Sequence, residues 1–171
     1  MNKNLIKRRL SWYYPVERIN AFVIFPMIAL YHLSNHSIKD IFALVYGLSI
    51  CIFILYQGQH YWKIKLYRLT GKPVDQSKIL SRFRLWKRIN EYMIAAIPLV
   101  LLVWFYLEGW MINSYSIFYW TIGVNAFAIL EYINYYHWQI TIDKVSDLTY
   151  VLKNKKLKTA HLGKDLKENV I

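Results

Sequence analysis

The chain has 171 residues, 56% of them hydrophobic and 18% aromatic, with only 19% charged and a formal net charge of +12. That apolar surplus excludes an ordinary soluble domain and a disordered tail. One cysteine, Cys51, excludes an internal disulfide framework and a zinc site built on several thiolates.

Met1 to Arg18 carries five basic residues: Lys3, Lys7, Arg8, Arg9 and Arg18. Ile19 to Ile38 then runs 20 residues without Asp, Glu, Lys or Arg. A helix needs about 20 mainly apolar residues to cross a hydrocarbon core about 30 Å thick. The first span is therefore expected at approximately 19–38, although Asn20, Pro26 and His32 dilute it. Pro26 lacks an amide donor and its ring clashes with the Phe22 carbonyl, which predicts a kink at that point. No small-x-small cleavage site follows, so an uncleaved helix is expected in place of a signal peptide. Position 2 is Asn and the chain lacks a C-terminal cysteine box, so no lipid anchor is expected.

Ile41 to Trp62 gives 22 further residues without charge, the second span at approximately 41–62. Helical composition continues to Leu69, where Thr70-Gly71-Lys72-Pro73 reads as a stop. Asp75 or Ser77 can cap the next helix by accepting from its free amides. Ile79, Phe83, Trp86, Ile89 and Met93 then recur at steps of four, three, three and four, one apolar stripe. The stripe runs into a third span at approximately 91–110. Spans two and three thus extend as a helical hairpin over approximately 63–90. Gly109 to Leu130 is another uncharged run of 22, placing the fourth span at approximately 115–138. The tail, 143–171, is expected to hold two short helices, Ser146 to Leu152 and Thr159 to Glu168. The fold class is an all-α membrane protein of four spans, one domain over 1–171.

Charge gives an orientation. The hairpin holds nine basic residues and the tail seven, so 21 of the 22 lie on one side and Lys39 alone on the other. Lys and Arg in short loops mark the cytoplasmic side, so both termini and the hairpin are expected inside. A compact chain without a targeting segment suits a prokaryotic plasma membrane. Trp62, Tyr67, Phe83 and Trp86 interleave with these cations, a pattern also seen in nucleic-acid binders. Membrane interfaces demand the same aromatic belt and flanking cations, so lipid, with anionic headgroups, is the expected contact and nucleic acid is not.

Catalytic signatures are missing from the sequence: there is no Gly-rich phosphate loop, HExxH, GxSxG or CxxC. Chemistry concentrates instead at the inner ends of the spans. Gln57 and His60 end span two, Glu91 begins span three, and Glu131, Asn134 and His137 end span four. A carboxylate within a membrane is costly and needs a partner, a proton or a function. Glu91 has Lys87 four residues before it, whereas Glu131 meets no basic residue on its own helix until Lys144. Because the helices alternate in direction, these ends share one level, and Glu131 is expected to anchor a hydrogen-bonded clasp. His60, His137, Glu91 and Glu131 are the alternative, a divalent-metal set. Glu131 and His137 fall about 120° apart on an ideal helix, which disfavours it, and neither metal nor cofactor is expected.

Two function classes follow. The first is a non-enzymatic accessory, scaffold or regulatory component whose hairpin presents Arg82, Arg84, Lys87 and Arg88 to a cytoplasmic or membrane partner or to lipid. The second is an enzyme or transporter that uses the polar cluster around Glu131 for proton transfer or metal binding.

Overall fold

The computed structural model describes residues 3–142 and 145–171, with side chains for 11–142 and 148–171. Four of its helices are long and apolar enough to cross a membrane: Ser11–Asn35, Ile38–Leu69, Gln76–Leu107 and Tyr115–Tyr136. The architecture is that of an all-helical integral membrane protein.

The first helix begins well before the first apolar run. Helix α1 (Lys3–Ile19) passes into a π-helical turn (Asn20–Ile24) and on into α2 (Phe25–Asn35) without a loop. Pro26 accounts for the π-turn. With no N–H to offer the Phe22 carbonyl, the ladder widens by one residue, and the Phe25 N–H reaches back to the Asn20 carbonyl. The basic N-terminal segment is therefore helical and packs on the next helix, where the sequence suggested only a flanking stretch.

Helices α3 (Ile38–Leu69) and α4 (Gln76–Leu107) have 32 residues each. At 1.5 Å per residue each is about 48 Å long, so both overrun a hydrocarbon core of about 30 Å. Gly71, at φ 76°, closes α3 in the left-handed region that favours glycine. Asp75 opens α4 by accepting the Lys78 N–H at 3.1 Å, and that bond holds its carboxyl below the usual range. Helix α5 (Tyr115–Tyr136) follows. Strand β1 (Trp138–Gln139) pairs antiparallel with β2 (Lys158–Thr159), in the register Trp138 with Thr159. Between the strands lies α6 (Val145–Asn154), and after them α7 (His161–Glu168). The two tail helices match the expected positions closely, while the strand pair was not anticipated.

Helix α3 is the hub, touching α1, α2, α4 and α5. Half of its most apolar stretch is buried within the protein, against a third or less for the other three spans. Glycine permits the closest approaches: Gly47 faces the Asn125 amide and Gly58 the Tyr135 ring, so a Cβ at either would strike α5. Polar bonds then fix the register of the neighbours. Asn125 Nδ2 donates to the Ala43 carbonyl at 3.0 Å, Tyr46 Oη to the Met93 carbonyl at 2.8 Å, and Trp104 Nε1 to the Asp40 carbonyl at 2.8 Å.

On α4 the buried positions Phe83, Asn90, Ile97 and Trp104 recur every seven residues. That is the 3.5-residue repeat of a coiled-coil seam. Ile79, Trp86 and Met93 from the expected stripe flank this seam half-buried. Leu99, Leu102 and Val103 stay exposed, as a lipid-facing surface requires.

Candidate functional site

The polar residues at the basic end of the bundle fall into two groups on opposite sides of the α3–α5 contact. In the first, Gln57 and Asn90 exchange amide hydrogen bonds in both directions, and both are buried. Tyr136 Oη donates to the same Gln57 oxygen. Beside it, Tyr132 Oη donates to Glu91 at 2.9 Å and lies 3.2 Å from His137 Nε2. Lys87 Nζ stands 3.7 Å from Glu91. The Tyr132 and Tyr136 rings, 5.2 Å apart, join the amide pair to the carboxylate. This group ties α3, α4 and α5 together.

The second group faces α1. Tyr135 Oη donates to Glu17, and Glu131 lies close enough to interact electrostatically with both. Asn134, one turn on from Glu131, accepts the Ile140 and Thr141 N–H groups at 2.9 and 3.1 Å through its side-chain oxygen. Asn134 thereby folds the chain back after α5. Tyr13 stacks on Trp62 at 5.7 Å nearby, strengthening the α1–α3 contact.

Sequence reasoning put Glu131 at the centre of one clasp; the structure puts Gln57 there and gives Glu131 a different set of neighbours. The physical reason is helical phase. Glu131 is one residue before Tyr132 and five before Tyr136, so its side chain leaves α5 toward α1 while theirs leave toward α4. His60 belongs to neither group: its ring sits among Tyr56, Phe83 and Trp86, at 6.4, 6.0 and 5.6 Å between centroids. Among the described residues, no three His, Cys, Asp or Glu side chains gather where they could hold a metal ion, so His60, His137, Glu91 and Glu131 do not form a set.

Asn90 was the decisive omission. Its signal was available, because it stands in the same heptad position as Phe83, Ile97 and Trp104, where an amide is out of place unless paired. Glu17 was missed because the N-terminal stretch was weighed as charge and not as a helix face.

The four hairpin cations have unequal surroundings. Arg84 donates to Asn169 of the tail, Lys87 faces Glu91, Arg82 lies 5.9 Å over the Trp86 ring, and Arg88 is exposed. The tail itself occupies the base of the hairpin. Asp165 accepts from Tyr61 Oη at 2.7 Å and pairs with Lys65 Nζ at 2.6 Å. Gln76 Nε2 donates to the Asn169 carbonyl at 2.6 Å, and Leu162 and Ile171 are buried. Part of the surface expected to meet a partner therefore meets the protein's own C-terminal helix. No family model matches the chain, and no curated protein or solved structure resembles it significantly.

Proposed function

We propose that the protein is a non-enzymatic accessory, scaffold or regulatory component of a prokaryotic plasma membrane, with both termini and the hairpin in the cytoplasm. The observation that carries this reading is the collar of cations at one end of the bundle. Lys63, Lys65, Arg68 and Lys72 close α3, Lys78, Arg82, Arg84, Lys87 and Arg88 open α4, and Lys158, Lys164 and Lys167 come from the tail. Such a collar suits anionic headgroups and an acidic partner surface together. The first polar group supports the same reading, because its side chains are engaged with one another and give the hairpin a rigid base.

Arg82 and Arg88 are the cations to test, since reversing them leaves the Arg84–Asn169 and Lys87–Glu91 contacts in place. The protein purified in mild detergent is expected to bring down one stoichiometric partner, and Arg82→Glu with Arg88→Glu to lose it. Equal recovery by both proteins would remove the hairpin from the proposal.

One observation keeps the second class open. Glu17 and Glu131 both lie within spans, Glu17 accepting from Tyr135 on the helix that carries Glu131, and a carboxylate in a membrane needs a partner, a proton or a function. Proton-coupled uptake into vesicles that is abolished by Glu131→Gln and by Glu17→Gln would favour a transporter; unchanged flux in both would dismiss it.

A further inference from the structure

An excursion carrying helix α6 leaves the end of α5 along β1 and returns to it along β2. Its base is clamped by the β1–β2 ladder and by the Ala160 N–H donating to the His137 carbonyl at 3.0 Å. The ladder begins two residues after the fourth span ends at Tyr136, so the excursion emerges at the level of the membrane surface.

Helix α6 within it has two unlike faces. Leu148 and Leu152, one turn apart, are 45% and 70% exposed. Tyr150 projects about 160–200° away from them on an ideal helix, and Lys158 of β2 sits 4.9 Å over its ring. The protein thus holds α6 by its far side, its packing falling on β2, and the leucines are turned outward. Trp138 of β1, Ile140 and Ile142 just beyond it, and Leu157 just before β2 are exposed as well. Lys153 stands in the last turn of the helix and Lys155 and Lys156 follow its end, all exposed. Lys155 adopts φ 50° to end it.

We infer that α6 is an in-plane membrane anchor that recognises anionic phospholipid, its leucines in the acyl boundary and its lysines at the headgroup phosphates. Three features select this occupant over a second copy of the chain or a soluble protein. Trp138, exposed two residues past the end of the fourth span, is an aromatic of the kind that belts place at this depth. The cations cluster at the C-terminal end of the leucine face, where they can reach headgroups while the leucines stay apolar. A basic segment beside a span gains attraction from each lysine near an anionic surface. The leaflet involved rests on the proposed orientation, with the basic end in the cytoplasm; the lipid contact does not.

Cys51 is the only cysteine, which makes site-directed labelling clean. In a Cys51→Ala background, Leu152→Cys and Asn154→Cys place a fluorophore on the apolar and polar faces of α6 in the full-length protein. Vesicles of phosphatidylcholine, alone or mixed with phosphatidylglycerol, supply the surface. The label at 152 is expected to be quenched several-fold more by brominated lipid than the label at 154, and less by iodide in the water. Adding phosphatidylglycerol is expected to widen the contrast, and Lys153→Gln, Lys155→Gln and Lys156→Gln together to abolish that gain. Equal iodide quenching at both sites overturns the anchor. Shielding of 152 from iodide and brominated lipid alike means that protein covers the face, and also overturns it. A phosphatidylglycerol gain that survives the lysine changes overturns the headgroup contact. A separate reporter in 70–77 that scores external sinks the orientation while leaving the label result intact.

Discussion

Gln57 on α3 and Asn90 on α4 satisfy each other's side chains in both directions, Gln57 Nε2 donating at 3.1 Å and Asn90 Nδ2 at 2.8 Å. Two buried amides closed on each other in an apolar seam specify register, since sliding α4 by one turn would strand both. Removing one partner leaves the other unsatisfied, a cost of about 1–3 kcal/mol. Interhelical bonds within bilayers are measured at the lower end, about 0.6–2 kcal/mol. Gln57→Leu is expected to destabilise by an amount in that range, and adding Asn90→Leu to recover much of it. Unfolding in mixed micelles with increasing denaturing detergent measures the cycle. Additive losses would show that the pair is not coupled.

The four spans were legible because an uncharged run of about 20 residues matches the thickness of a bilayer and little else. The hairpin stop was legible because Gly71 and Asp75 are residues that turns require. The start of the first helix was not, since Lys7, Arg8 and Arg9 mask a helix when charge alone is weighed. The polar site was half legible. Residue types at the inner ends were right, but pairing depends on helical phase, and a difference of one residue sends Glu131 and Tyr132 to different neighbours. The docking of α7 lies beyond periodicity arguments, because it includes contacts between residues far apart in sequence, such as Gly163 with the Tyr136 carbonyl and Asp165 with Tyr61.

Cys51 is fully buried, its Sγ 3.7 Å from the Val124 carbonyl. It serves as a small apolar side chain between α3 and α5. A membrane-impermeant thiol reagent is expected to leave it unlabelled in intact cells and to react only after denaturation. Rapid labelling in the native state would reveal a water-filled route to mid-membrane.

Asp75 caps α4, and the Lys78 N–H holds its carboxyl below the usual range. A carboxylate depressed by folding contributes stability above its unfolded value, about 3.9, and loses it as pH falls through the folded one. Protection of the amides of Gln76–Ile79, taken relative to their intrinsic exchange at each pH, is therefore expected to stay unchanged from pH 7 to 5 and to fall only below about pH 4. Asp75→Asn, which caps without a charge, is expected to flatten that dependence. A loss of protection in acid that persists in Asp75→Asn would assign it to another group.

The distribution of cations leads us to expect one orientation. Reporters after residue 5, within 70–77 and after residue 171 are expected to score cytoplasmic, and one at Ser37 external. A cytoplasmic score at Ser37 would mean that the first two spans do not both cross.

Among the contacts that seat α7, one glycine and one carboxylate can be tested separately. A Cβ at Gly163 would strike the Tyr136 carbonyl oxygen, which belongs to backbone and cannot step aside. Gly163→Val is expected to cost about 1–3 kcal/mol through overpacking, raising the detached fraction of α7 by about fivefold to somewhat over a hundredfold. Asp165→Asn keeps the shape and can still accept from Tyr61, but loses the charge that meets Lys65. With both partners partly exposed, that change is expected to cost no more than about 1 kcal/mol. Trypsin reads both, since Lys164 and Lys167 lie within α7 and resist cleavage while the helix is docked. The expected order of cleavage after Lys164 is Gly163→Val fastest, then Asp165→Asn, then the unaltered protein. If Gly163→Val is cut no faster than the unaltered protein, the helix is not held by that contact. A reversed order would shift the main restraint from packing to the ion pair.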